Sequence, residues 1–445
     1  MDKEKEIVLK KAQDDGVKFV NLQFTDLFGS IKNVTITIEQ LEDSLNKGTW
    51  FDGSSIEGFA RIHESDMYLM PDPDTYALIP WEKGDEKLAR FICDVYTPNG
   101  EPYSSDPRSI LKKVLKQAEE MGLVYDTGPE LEFFLFKKDN GRISPVPHDV
   151  GGYFDFSARD LATEVRKDIV LALEQMGLTV EASHHEVAPG QHEIDFKYEK
   201  ALKCADHAIT FKHVVKAVSA AHDLYGTFMP KPIYGENGSG MHVHQSMKDP
   251  EGKNMFYSED DKYGLSEKAY QFIAGQLKHA KEFSAIVAPT VNSYKRLVPG
   301  YEAPVYICWA QVNRSALIRI PRISPGRESG TRCELRCPDP SCNPYLAFAT
   351  MLAAGLDGIK NKLTPTEAVE ENVYNFDDAK LKEKYIDTMP NSLGDAIAYL
   401  SESSVMREAM GEDAFTKYVS AKKKEWDSYR TAVTDWELNK YLEVL

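Results

Sequence analysis

The sequence has few cysteines, no long apolar run and no excess of positive charge, and each shortage excludes something. Six cysteines in 445 residues are too sparse for a disulfide framework, so a reduced, cytoplasmic protein is expected. Cys333, Cys337 and Cys342 cluster, but their spacing matches no usual zinc or iron–sulfur pattern, and buried thiols are expected there. No run of about 18 apolar residues occurs, which argues against a transmembrane helix. The first residues, Met-Asp-Lys-Glu-Lys-Glu, lack the apolar core of a signal peptide. The formal net charge is −17, which disfavours nucleic acid and anionic membrane as main partners, because both need a basic footprint. Local arginines can still bind phosphate against that global sign. Internal repeats and low-complexity segments are absent as well.

What remains is a chain with an ordinary globular balance, 42% hydrophobic and 28% charged, long enough for two or three domains. Residues 1–103 read as a small α+β domain. It comprises a helix over Lys3–Asp15, a hairpin of Val17–Thr25 and Ser30–Ile38, a helix over Ile38–Asn46, and strands over Ala77–Trp81 and Ala89–Tyr96. Between them lies Phe51-Asp-Gly-Ser-Ser-Ile-Glu-Gly-Phe59, read as a loop, in which Asp52 is either a base or an Asx-turn residue. The boundary falls in the Pro- and Ser-rich stretch Thr97–Pro107. Asp106 then caps a helix that has Pro107 in its first turn and ends at Gly122. Residues 104–445 form the second domain. Its helices are expected over Arg159–Met176, Lys200–Tyr225, Ser266–Val287 and Asn343–Lys360, and residues 365–445 read as mainly helical and polar. His207, His213 and His222 on the second of these helices read as surface or core residues.

The stretch the chain is organised around is Ser183-His-His-Glu-Val-Ala-Pro-Gly-Gln-His-Glu-Ile-Asp-Phe196. It reads as a β-hairpin with arms Glu181–Val187 and His192–Tyr198 and the turn Ala188–Gln191. The turn brings Glu186 and Glu193 together. Two carboxylates that close repel by roughly 4 kcal/mol at an effective dielectric of about 20. Such a pair persists if it is solvated, if one member is protonated, or if a cation sits between them.

Other acids and histidines fit the same pattern. Gly128–Phe136 is a strand whose period of two places Glu130 and Glu132 on one face, either towards water or towards a ligand. In Met229–Ser246 the glycines fit neither a Walker loop nor a dinucleotide fingerprint, but they let backbone approach a ligand closely. His242 and His244 share one side of a strand there. Asn292–Pro304 is a long loop, either a mobile flap or a static surface loop. Arg314, Arg319, Arg322, Arg327, Arg332 and Arg336 then crowd together, as anion-binding groups or as salt bridges to the acids. Glu334 and Arg336 share a strand face. Glu130, Glu132, Glu186, Glu193, His242 and Glu334 together could hold two hard divalent cations, Mg²⁺ or Mn²⁺ rather than zinc. Paired cations beside arginines point to an ATP-using, metal-dependent enzyme of phosphoryl transfer.

These same stretches resemble glutamine synthetase of type I, in its short form, over essentially the whole chain. The resemblance rests on Asp52-Gly-Ser-Ser-Ile56, Glu130-Leu-Glu132, the hairpin, Asn237-Gly-Ser-Gly-Met-His242, Asn292–Pro304, Asn313-Arg-Ser315 and Asn343-Pro-Tyr-Leu346. It implies an α+β fold: a small N-terminal β-grasp domain and a larger catalytic domain with a curved antiparallel sheet and surrounding helices. It implies ATP-dependent ligation of ammonia to L-glutamate through γ-glutamyl phosphate, in a cytoplasmic homododecamer of two hexameric rings. The alternative within the superfamily is a γ-glutamyl–amine ligase.

The roles it implies go residue by residue. Glu132, Glu186 and Glu193 would hold one metal, and Glu130, His242 and Glu334 the other. Asp52, from a neighbouring subunit, would take a proton from ammonium, and Glu302 would close the flap. Arg296, Arg336, Asn237 and Gly238 would bind glutamate, Arg314 the transferred phosphoryl group, and Arg319 and Arg332 the ATP phosphates. Glu181, His244 and Ser246 match nucleotide-site positions, with Phe196 and Tyr198 near adenine or ribose. Arg61 is a feedback-contact candidate, in keeping with a subgroup regulated by feedback or effectors. The segment Arg322–Thr331 departs from shorter family versions. Tyr374 lacks the Leu-Pro-Pro surroundings of an adenylylated tyrosine and is expected to stay unmodified.

Overall fold

The computed structural model describes residues 3–54, 56, 66–82, 84, 86–139, 141–156 and 158–445. Arg61 lies outside them. Among the described residues no helix is long and apolar enough to cross a membrane.

The N-terminal part is a six-stranded sheet in the order Ile31–Thr37, Val17–Thr25, Lys87–Tyr96, Asp66–Pro71, Thr49–Asp52, with Ala77–Leu78 joined to Lys87–Tyr96. Val17–Thr25 and Lys87–Tyr96 run parallel; the other pairings are antiparallel. Helices Lys3–Asp14 and Leu41–Lys47 place Val8, Ala12, Leu41 and Leu45 in one apolar cluster with Val20, Leu22 and Phe91 of the sheet. Three sequence expectations change here. The strand Asp66–Pro71 was not foreseen. Asp52 sits at the end of an edge strand rather than in a loop, because Thr49–Asp52 pairs with Asp66–Leu69. The strand expected over Ala77–Trp81 is only Ala77–Leu78.

The second part holds an eleven-stranded sheet built around one long strand, Val124–Asp139. That strand pairs with Met241–Lys248, Gln191–Phe196, Arg142–Pro147, Glu199–Lys200 and Leu224–Thr227. Beyond Met241–Lys248 the sheet continues through Cys333–Leu335, Ala316–Arg319 and Tyr306–Ala310 to Asp387–Thr388, and beyond Gln191–Phe196 it ends on Val180–His185. It is antiparallel except where Tyr306–Ala310 runs parallel to Ala316–Arg319. Leu131, Phe133 and Leu135 turn one face of the central strand into the main core, with Phe211 and Val215 of helix Ala201–Ala221.

Several helix limits differ from expectation. The helix expected over Lys200–Tyr225 stops at Ala221, because Asp223 adopts a left-handed backbone (φ 57°) and the chain turns into the strand Leu224–Thr227. Ser266–Val287 is two helices, Glu267–Lys278 and Ala280–Val287, broken at His279. Arg159–Met176 shortens to Thr163–Gln175. Asp106 does cap the helix Pro107–Glu119, its carboxylate accepting from Ser109 N at 3.1 Å. All six cysteines are free and buried.

Arg108 ties the two parts together. Only 3% exposed, its guanidinium donates to Asp72, just past the strand Asp66–Pro71, and to Asp94 of the N-terminal sheet (both 2.7 Å), and to Asp206 of helix Ala201–Ala221 (2.9 and 3.0 Å). A buried cation needs such compensation, and removing one partner of a buried pair costs about 3–5 kcal/mol.

Candidate active site

The hairpin forms, but its arms, Val180–His185 and Gln191–Phe196, are shorter than expected: Glu186 and Val187 belong to the turn and Gln191 to the second arm. Its turn is closed by Gln191 N donating to Ala188 O (3.0 Å) and Glu186 N to Gln191 O (2.8 Å). Gly190 is required: its φ is 70°, and a Cβ there would stand 3.0 Å from Leu135 O and 3.1 Å from Pro147 Cβ. Glu193 pairs in register with Glu132 on one side and His184 on the other. Ligand atoms of His184, Glu186 and Glu193 lie within 4.8 Å of one another, and so do those of Glu130, Glu193 and Asp195.

A third group forms one strand over. Along Met241–Lys248 burial alternates, so that His242 and His244 share one face as expected. His242 pairs in register with Glu130, and His244 with Glu334. Glu130, His242 and Glu334 also bring ligand atoms within 4.8 Å of one another. Glu130 is held at 2.8 Å by His244 Nε2, with His242 Nδ1 at 3.6 Å. Glu130 is thus common to two groups, which places all the donors on one continuous floor.

The electrostatics divide these acids. Burial raises Glu130, but hydrogen bonds from His242 and His244 outweigh it and hold its carboxyl well below the usual range. Burial also raises Glu334, and His244, His242, Arg336 and Arg319 together bring it below its ordinary value. Glu132 goes the other way: burial, then the charge of Glu186, push it up to about 8 against the pull of Arg296. Glu193 is likewise raised, by burial and then by Glu132. Burial lowers His242, with Arg336 adding to it, which leaves a neutral imidazole able to ligate. Carboxylates with one imidazole are a hard-cation donor set, and acids strained by burial and like charge gain most from a cation. The residues therefore fit divalent metal ions.

His148, Asp149 and His192 make a fourth group of close donors, wholly buried behind the hairpin. Arg166 Nη1 stands 3.0 Å from His192 Nδ1. A guanidinium can only donate, so Nδ1 accepts, the neutral ring carries its proton on Nε2, and no lone pair is left for a metal. This layer braces the hairpin instead. Arg166 grips Asp160 with two donors (2.9 and 2.7 Å), and His185 bridges Glu186 O (2.7 Å) and Asp149 (3.1 Å).

Next to the His242–Glu130 group opens a cleft of about 620 Å³, lined among others by Gly128, Glu130, Glu181, Tyr198, His244, Ser246, Arg322, Arg327 and Arg332. Arg332 Nε donates to His244 Nδ1 at 3.1 Å. The segment Arg322–Thr331 therefore wraps this cleft and presents Arg322 and Arg327 to it. Phe196 borders the cleft, but its ring is buried against His207 and Phe211, so it offers less to a base than the half-exposed Tyr198. Arg319 donates to Glu334 at 2.5 Å.

On the other side lies a narrow cavity lined by Glu132, Glu186, Gln191, Asn237, Gly238, Gly240, His242, Arg296, Tyr301, Glu302 and Arg336. Arg296, 5% exposed, is fixed by Cys337 O (2.9 Å) and Arg336 O (3.1 Å). A Cβ at Gly238 would lie 2.4 Å from Pro230 O, so only glycine lets the backbone run here. Gln191 Nε2 (2.9 Å) and Gly240 N (3.0 Å) both donate to Glu132 Oε2. The loop expected over Asn292–Pro304 begins with a short helix, Ser293–Arg296, and at Glu302 takes a left-handed backbone, φ 58°. Arg314 lies exposed on the neighbouring loop, its carbonyl accepting from Arg336 Nη1. Asp52 is not among the described residues lining either cavity; its side chain caps Ser54 N at 2.8 Å.

Sequence reasoning passed over His184 and Asp195. The strand period of two could have found them, because His184 is two residues from Glu186 and Asp195 two residues from Glu193.

Comparison with known proteins agrees with this geometry. A family model for the glutamine synthetase catalytic domain matches residues 104–441, and one for the glutamine synthetase β-grasp domain matches residues 16–98. The glutamine synthetase of Clostridium saccharobutylicum is 54% identical over 440 residues, 98% of each chain. Among solved structures, GmaS in complex with ADP superposes with a TM-score of 0.89 at 33% identity, over 98% of this chain and 99% of that one. Plasmodium falciparum glutamine synthetase superposes with a TM-score of 0.88 at 27% identity, over 99% of both.

Proposed function

The chain belongs to the glutamine synthetase family and carries out ATP-dependent synthesis of glutamine from glutamate and ammonia; from that premise we propose how its residues divide the work. The observation that carries the reading is the sharing of Glu130 between two donor groups on adjacent strands. Glu130, His242 and Glu334 hold one divalent cation beside the nucleotide cleft; Glu132, Glu186 and Glu193 hold a second beside the glutamate cavity, with His184 and Asp195 at its edge. The cations are Mg²⁺ or Mn²⁺, and when bound they neutralise the charge that develops on the transferring phosphoryl group.

Arg332, Arg319, His244 and Ser246 receive the ATP phosphates, and Glu181 and Tyr198 line the nucleoside end. Arg296, Arg336, Asn237 and Gly238 hold glutamate so that its γ-carboxylate faces the γ-phosphate, a positioning effect that replaces an encounter in solution. Arg314 stabilises the phosphoryl oxygens in the transition state. Glu302 closes over the γ-glutamyl phosphate and keeps water from it. Asp52 of an adjoining subunit takes a proton from ammonium, whose nitrogen then displaces phosphate. Residues 1–103 and 104–445 are the two domains, in a cytoplasmic type I dodecamer of two hexameric rings in which Tyr374 is not adenylylated.

An assay of ADP and glutamine in parallel tests this reading. ADP should form at the rate of glutamine, and only when ATP, glutamate, ammonium and Mg²⁺ or Mn²⁺ are all present. Equal turnover with putrescine in place of ammonium would assign the chain to amine ligation instead.

A further inference from the structure

The flap that carries Glu302 is pinned on both flanks by residues with no part in the scheme above. On one flank the Tyr374 hydroxyl donates to Ala303 O at 2.6 Å. The Tyr374 ring stands edge-on to Tyr306, with centroids 5.8 Å apart. Burial pushes this phenol up to about 12, against the nearby Arg336, so it remains a donor at neutral pH. On the other flank the Lys231 ammonium lies 3.8 Å from the centre of the Tyr301 ring. The Lys231 backbone is itself fixed to the root of the flap, donating to Asn292 Oδ1 (2.7 Å) and accepting from Asn292 Nδ2 (3.0 Å). Between the two anchors Glu302 holds a left-handed backbone, which a residue with a Cβ keeps only where its neighbours fix it.

The anchor on the Tyr374 side also reaches Arg314. Tyr374 sits in the short turn Val373–Asn375. Val373 N donates to Ser315 Oγ (3.1 Å), and Asn313 Nδ2 donates to Val369 O (3.0 Å) and to Glu371 O. The stretch from Val369 to Tyr374 therefore carries the loop bearing Arg314 on one side and the flap bearing Glu302 on the other. It sets the distance between the group proposed to hold the phosphoryl and the group proposed to exclude water.

We propose that Tyr374 and Lys231 are positioning residues that latch the flap shut over the acyl phosphate. The proposal rests on the reading of Glu302 as the flap acid. If the latch is loosened, water reaches the γ-carbonyl carbon. Its oxygen bonds to that carbon, the bond to the phosphate oxygen breaks, phosphate leaves, and a proton passes to solvent. Glutamate returns and the net reaction is ATP hydrolysis, so the signature of a loose latch is ADP formed without glutamine.

The test is the ratio of ADP to glutamine in Tyr374→Phe, which loses only the hydroxyl. The ratio should rise about 5-fold, the factor one neutral hydrogen bond is worth, while the melting temperature and the KM for ATP stay at wild-type values. Lys231→Met should raise it likewise, and Lys231→Arg, which restores a cation over the ring, should bring it back down. Glu302→Ala serves as the control. If it uncouples the reaction and Tyr374→Phe does not, the latch is wrong and the flap reading stands. If neither uncouples, the flap reading fails and takes the latch with it.

Discussion

Glu193 lies directly across from Glu132 where the hairpin arm pairs with the central strand, and both acids are buried. Burial raises both above the ordinary carboxylate range, with the charge of Glu186 adding to it at Glu132 and the charge of Glu132 adding to it at Glu193. The fold thus carries an unfavourable arrangement that a divalent cation relieves.

Neutralising one member should therefore separate stability from metal response. Glu193→Gln should melt higher than wild type without divalent metal and lose the part of the Mg²⁺-dependent rise that its own cation site contributes. For wild type that rise corresponds to about 2.7 kcal/mol at a metal concentration of about 100 Kd. Melting curves with Mg²⁺ and with chelator decide it; an undiminished Mg²⁺ shift in the variant would speak against Glu193 as a ligand.

Asp52 ends an edge strand of the N-terminal sheet, outside both cavities of its own chain. If a neighbouring subunit supplies it, two inactive variants should rescue each other. Asp52→Ala should lose about 10²–10⁴ in turnover, the usual worth of a positioned base. Oligomers assembled from mixed Asp52→Ala and Glu132→Ala chains should regain activity, because some sites then combine an intact Asp52 with an intact Glu132. No gain on mixing would mean that each chain uses its own Asp52.

Arg332 meets the cleft beside His244. Arg332→Ala should raise the KM for ATP by about 10-fold, the lower range for a charge-assisted hydrogen bond, with little change in the KM for glutamate. Steady-state kinetics in each substrate reads this directly.

Asp106 offers a pH test away from the reaction. Burial, then the charge of Asp94, push its carboxyl up from 3.8 to about 6. A carboxyl raised in the folded state contributes stability below its unfolded pKa, and that contribution is lost as pH climbs through the folded value. Asp106→Asn keeps a good cap without the titration. Wild type should lose up to about 2 kcal/mol relative to Asp106→Asn between pH 4.5 and 7, read as a widening difference in melting temperature.

The hairpin, the Glu130–Glu132 face and the His242–His244 pair were legible because a strand repeats every two residues, so that spacing alone assigns a side chain to a face. That logic placed Glu130 and Glu132 on one strand and His242 and His244 on another, while the turn brought Glu186 and Glu193 together. It could not give the register that sets Glu193 across from Glu132, or His244 across from Glu334, because register depends on partners far along the chain. The break at His279 was hidden for a similar reason. No glycine or proline marks it, and His279 is held there by Glu282 and Asp357, the second from another helix. The Arg108 clamp joins aspartates at 72, 94 and 206, which no periodicity connects. Tyr374 could be read only for its surroundings in sequence, whereas its contact with Ala303 appears only in the fold.

The most direct test of the two-cation site is a count of tightly bound Mn²⁺ per chain by equilibrium dialysis. Wild type should bind two, and Glu334→Ala and Glu186→Ala should each bind one, since each removes a donor from a different group. Two ions retained in both variants, or a single ion in wild type, would contradict the account.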